Sequence, residues 1–144
     1  MSIGSRGFGA VGAIAALLTT SACGFFGSTG PTPPPQVTEE QLVGHWRGDC
    51  GATMDVRGDH SFTVKDFAVE FKGAGTEPQL VSGDGTWRLS RAIENVRPQE
   101  LVLDLKDRIH RLPVGGEGEN VVLDQVVGDP DYAYECAFKA EPAT

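Results

Sequence analysis

The chain reads as an all-β protein, a small antiparallel meander of about eight strands that closes into a barrel and is entered through one short N-terminal helix. Three observations predict this class. Beyond residue 44 the apolar residues recur mainly with period two, as half-buried strands require. Clusters of Gly, Asp, Asn and Pro punctuate the pattern at the spacing typical of short strands. Finally, Cys50 stands near the start of the strand-rich part and Cys136 near its end.

The helix comes first, over residues 37–43. Thr38 is a good N-cap, Gln41 stands in capping-box position, Glu39 and Glu40 suit the positive end of a helix dipole, and Gly44 is a natural stop. The first strand follows, with Trp46, Gly48 and Cys50 on one face. Met54 and Val56 continue the alternation in the second. Gly58-Asp59-His60 turns the chain into a strand with Phe62 and Val64 inward. Phe67, Val69 and Phe71 then alternate on the opposite parity, so a bulge is expected near Lys65 and Asp66.

The second half repeats the grammar. Residues 82–89 carry Gly83-Asp84-Gly85-Thr86-Trp87; residues 100–106 alternate Leu101, Leu103 and Leu105 with Val102 and Asp104; residues 108–114 supply another strand. Residues 115–120 form a turn by composition. Residues 120–127 and 132–139 are the last two strands, separated by Gly128-Asp129-Pro130-Asp131. A lone small sheet would leave two edges and a bare face, so a barrel or a tight two-layer sandwich is the economical closure. A Cys50–Cys136 bridge would join the two ends of the meander. The chain-entropy treatment gives such a long loop roughly 4 to 5 kcal/mol of stabilisation.

Ahead of this domain lie two further segments. Residues 1–22 have the form of an export leader, with Arg6 in a short n-region, an apolar run over residues 8–18 and small residues before the cut. That run is shorter than the roughly 18 to 20 apolar residues of a membrane-spanning helix. Leu18-Thr19-Thr20-Ser21-Ala22-Cys23 resembles the lipobox of bacterial lipoproteins, with Thr20 where an aliphatic residue is usual. That resemblance implies a diacylglyceryl thioether on Cys23 and a tether to the cell membrane on its extracytoplasmic face. Plain cleavage after Ala22, without lipid, is the alternative. Cysteine arithmetic favours the lipid, because pairing Cys50 with Cys136 leaves one of three cysteines over. Residues 23–36 are a Gly- and Pro-rich tether, a spacer rather than a proline-recognition ligand, able to extend up to about 35 Å. Residues 37–144 form the barrel domain.

Leu42-Val43-Gly44-His45-Trp46, Gly58-Asp59-His60-Ser61-Phe62, Gly83-Asp84-Gly85-Thr86-Trp87 and the stretch from Gly115-Gly116 to Gly128-Asp129-Pro130-Asp131 together resemble a family of small actinobacterial lipoproteins. The family's usual Asp-Gly-Thr-Phe turn is Asp59-His60-Ser61-Phe62 here. The Gly-x-Trp of the first strand is also similar to that of lipocalin-like and avidin-like barrels. These resemblances imply a shared fold and surface address and bring no activity or catalytic residues.

The formal net charge is −8, and the leader holds none of the twenty acidic residues. Such a surface argues against nucleic acid and against direct docking on anionic lipid heads. His45, His60 and His110 lack zinc-ligand spacing, Asp84, Asp129 and Asp131 lack calcium-loop spacing, and there is no Gly-x-Ser-x-Gly elbow. No catalytic residue, metal or cofactor is therefore expected. Trp46, Phe62, Trp87 and Tyr134 are the candidate walls of an apolar ligand pocket, or else the aromatic filling of a closed core. The expected role is binding of a small apolar ligand or an envelope partner. The alternatives are a structural or protein-interaction module with a packed core, or a hydrolase.

Overall fold

The short helix forms where its caps predict, at α1 (Glu39–Leu42), with the Gln41 side chain accepting the Thr38 N–H at 2.9 Å. A computed structural model describes residues 36–117 and 119–143. Eight strands follow among these residues: β1 (Gly44–Gly48), β2 (Thr53–Val56), β3 (Ser61–Glu70), β4 (Gln79–Leu89), β5 (Glu100–Leu105), β6 (Arg108–Glu117), β7 (Asn120–Val127) and β8 (Tyr134–Ala140). Each pairs antiparallel with the next, and β8 returns to β1, so the sheet closes as a barrel rather than a two-layer sandwich.

Local chemistry explains the irregular points. The ladder between β3 and β4 shifts register between Val64 and Phe67, with Asp66 at φ 55°, and both Val64 and Phe67 are thereby buried. This is the expected bulge. In the turn between β2 and β3 His60 takes φ 64°, the left-handed conformation more usual for Gly, and Asp59 Oδ1 fixes the turn by accepting the Ser61 N–H at 2.9 Å. Lys106 and Asp107, at φ 51° and 64°, make the tight hairpin between β5 and β6.

Three local expectations are corrected. Gly115 and Gly116 belong to β6 rather than to a turn: a Cβ on Gly116 would lie 1.9 Å from the Asn120 carbonyl oxygen, so glycine permits the close approach that carries the strand on to Glu117. Tyr132 belongs to a 3-10 turn, Pro130–Tyr132, before β8 starts at Tyr134. Cys50 lies in the turn just after β1. Val102 is also buried, although it alternates with inward-facing neighbours. It sits in register between Arg88 and Arg111, whose aliphatic stems are long enough to cover it.

The β1–β8 seam has three paired positions, and Asp49 extends it through N–H to Ala137 O at 3.1 Å and Oδ1 from Ala137 N–H at 3.0 Å. Cys50 and Cys136 bridge the same seam, with Cα atoms 5.4 Å apart.

The interior is asymmetric along the barrel axis. At the end where β1, β3, β5 and β7 begin, Leu42 of α1 is fully buried and its carbonyl accepts the Trp46 Nε1–H at 2.9 Å. Gln99 clasps Val37 from the same side, accepting its N–H at 2.6 Å and donating to its carbonyl at 3.1 Å. Trp46, Phe62, Met54, Leu101, Leu112, Leu123 and Phe138 fill the space behind this cover. Among the described residues every ladder and every core residue lies between Val37 and Ala140. At the opposite end no helix lies over the core among the described residues; there Phe71, just after β3, packs against Tyr134 of β8 and against Gly128.

Candidate functional site

At that opposite end β3, β4, β5 and β6 surround a cavity of about 260 Å³ lined by Val69, Gln79, Val81, Leu105, Lys106, Arg108 and His110. Strand alternation places these residues. Leu105 belongs to the core, and Val69 and Val81 pack against it partly exposed. Their inner surfaces form apolar walls where the packed core stops.

His110 shares the inward face of β6 with Leu112 and Val114 and meets the Phe67 ring edge-on, with centroids 5.4 Å apart. Burial, and secondly the charge of Arg108, hold its pKa below the ordinary histidine value, so the imidazole is favoured in its neutral form. Its Nε2 is buried without a protein hydrogen-bond partner among the described residues. Gln125, on β7 and 3% exposed, donates its amide to Ala68 O at 2.6 Å, while its Oε1 is likewise unpartnered. The sequence singled out no histidine for a site; for His110 the structure shows an inward, half-buried ring. Its parity with Leu112 and Val114 was the signal that locates it.

The other two histidines are engaged elsewhere. His45 holds Asp55 through Nδ1 at 2.5 Å and Glu141 through Nε2 at 3.0 Å, leaving neither nitrogen free to activate a hydroxyl. His60 stacks on Trp87 with centroids 4.9 Å apart and faces Glu39 at 3.6 Å. Among the described residues one cluster of potential metal donors occurs, Asp49 with Cys50 and Cys136. Its sulfurs are joined to each other and the Asp49 carboxylate caps the seam, which accounts for the cluster structurally.

The aromatic residues expected to wall a pocket are divided. Trp46, Phe62 and Trp87 belong to one buried cluster, and Trp87 donates Nε1–H to Arg57 O at 2.8 Å. Tyr134 lies partly buried on β8 against Phe71, with centroids 5.9 Å apart. None of the four lines the mouth cavity. Cys23 lies outside the described residues.

Fold and cavity together define a small closed β-barrel covered by a helix at one end and bearing a partly open cavity at the other. No protein-family model, curated protein or solved structure matches the chain.

Proposed function

We propose that this chain is a lipid-anchored binding domain, tethered through Cys23 on the extracytoplasmic face of a cell membrane, whose barrel mouth holds a small apolar ligand. One observation carries the ligand reading. The barrel is packed and covered by α1 at one end, yet at the other Val69, Val81 and Leu105 remain as apolar walls around open space. A domain serving only as a rigid spacer has no need of that difference. The lipid anchor is supported by the leader and by Cys23, the cysteine left over once Cys50 and Cys136 are bridged.

The cavity is smaller than the roughly 300 to 1,000 Å³ of drug-sized sites, which suits a short ligand. The test uses the chain from Gly24 onward and 1-octanol as probe. Methyl resonances of Val69, Val81 and Leu105 are expected to shift on titration, while those of Met54 and Leu123 in the packed half stay in place. Intact mass of the membrane-extracted protein checks the anchor, with diacylglyceryl on Cys23 expected and its absence overturning the address.

The densely packed core favours a second reading, a protein-interaction module without a small ligand. Absence of any octanol response in the mouth methyls is the outcome that selects it.

A further inference from the structure

We propose that the mouth selects a small organic monoanion with a short apolar body, its charge met by Lys106 and Arg108. This deepens the ligand reading above and rests on it.

The lining of the mouth is out of character for the chain. The protein has twenty acidic and twelve basic residues, yet the cavity is bounded by two cations, an imidazole, an amide and three aliphatic side chains, with no carboxylate. Arg47, Lys72 and Arg111 each have a carboxylate within 4.0 Å; Lys106 and Arg108, like Arg57, Lys65, Arg88, Arg91, Arg97 and Lys139, have none among the described residues. Because the lining itself carries no carboxylate, the charge of Lys106 and Arg108 is not neutralised within it.

Lys106 is also steered. Its residue is in the left-handed region at φ 51°, and its stem runs back over Gly83, where a Cβ would lie 3.3 Å from Lys106 Cε and 3.9 Å from Nζ. Gly83 shares its face of β4 with Gly85 and Trp87, and a Cβ at Gly85 would meet the buried Phe62 ring, so this is the interior face. The missing side chain at Gly83 thus makes the groove along which the ammonium reaches the mouth.

Arg108 begins the adjoining strand, and its charge is felt at His110 as a depression of the imidazole pKa. His110 adds its imidazole to the lining, and the guanidinium fork of Arg108 suits a carboxylate. Val69, Val81 and Leu105 receive the apolar part. The arrangement matches an amphiphile whose acid group sits at the rim and whose short chain points inward.

The experiment titrates octanoate and 1-octanol separately into the chain from Gly24 onward, followed by methyl and imidazole resonances. Octanoate is expected to bind about tenfold tighter than octanol, the gain appropriate to charge-assisted contacts at a partly exposed rim. Both ligands are expected to shift Val69, Val81 and Leu105, and octanoate alone to shift His110 strongly. The double variant Lys106→Gln with Arg108→Gln is expected to remove the tenfold preference, octanoate then binding no tighter than octanol does to the same variant. Both side chains project from exposed positions, and an unchanged core methyl spectrum verifies the fold of the variant.

Equal affinity for octanoate and octanol overturns the anion preference and leaves the apolar-ligand reading standing. If neither ligand moves the mouth resonances, both readings fall. Octanoate binding that shifts residues away from the mouth, or that survives the double variant, overturns the assignment to Lys106 and Arg108.

Discussion

Removing the Cys50–Cys136 bridge probes how the barrel is held shut. The cysteines are 86 residues apart, and chain entropy for a loop of that length gives about 4.6 kcal/mol at 25 °C. A domain of this size typically has about 5 to 15 kcal/mol of net stability, so the loss is a large share of the whole. The position of the bridge sharpens the argument. It spans the β1–β8 seam, which has only three paired positions, and no other covalent link joins the ends of the meander among the described residues. The double variant Cys50→Ser, Cys136→Ser is expected to lower the urea midpoint strongly. It should also raise the m-value, because the unfolded chain is released from an 86-residue loop and exposes more surface. Equilibrium urea denaturation followed by tryptophan fluorescence measures both, since Trp46 and Trp87 are buried in the folded barrel. A double variant within about 1 kcal/mol of the oxidised protein, at unchanged m, would refute the loop-entropy reasoning.

Two other outcomes follow from named contacts. A methyl group added by Gly85→Ala would lie 2.0 Å from the Asp104 carbonyl oxygen and 2.7 Å from the Phe62 ring, so the strands must part or the ring must move; destabilisation of about 3 kcal/mol is expected in the same urea assay. For His110, burial and Arg108 lower the folded pKa, so its contribution to stability is present above the ordinary value of 6.5 and is lost as pH falls from there through the depressed value. An imidazole titration by NMR is expected to show His110 below 6.5 and moving upward in Arg108→Gln, and an unmoved pKa would contradict the electrostatic contact inferred between them.

Much of the barrel was legible because strand parity is a local property. The inward set of Trp46, Met54, Val56, Phe62 and Val64 follows from alternation, and the parity change at Phe67 marks the bulge before any partner strand is known. The capping residues Thr38 and Gln41 announce α1 in the same local way. Local composition misleads where a neighbouring strand sets the geometry. Gly115 and Gly116 look like a turn, yet the closeness of Asn120 makes Gly116 a strand residue that only glycine satisfies. Val102 alternates as an outward residue, yet it is buried where it sits in register between Arg88 and Arg111.

The candidate site was less legible. Trp46, Phe62 and Trp87 attract attention as large aromatics, but size and apolarity are what a packed core requires, and that is where the structure places them. The mouth residues are individually ordinary. Val69, Val81, Leu105, Lys106, Arg108 and His110 come from four strands and the hairpin between two of them.

The sequence by itself therefore determined the strand class, the order and parity of the strands, the short helix and the cysteines able to staple the ends. These depend on backbone periodicity, capping and chain entropy, which act along the chain. Only the tertiary structure decided which end α1 covers, where the packed interior stops, and that Lys106, Arg108 and a half-buried imidazole border the space left over. That outcome depends on the radius and closure of the barrel, which sum contributions from strands far apart in sequence and so leave no local trace.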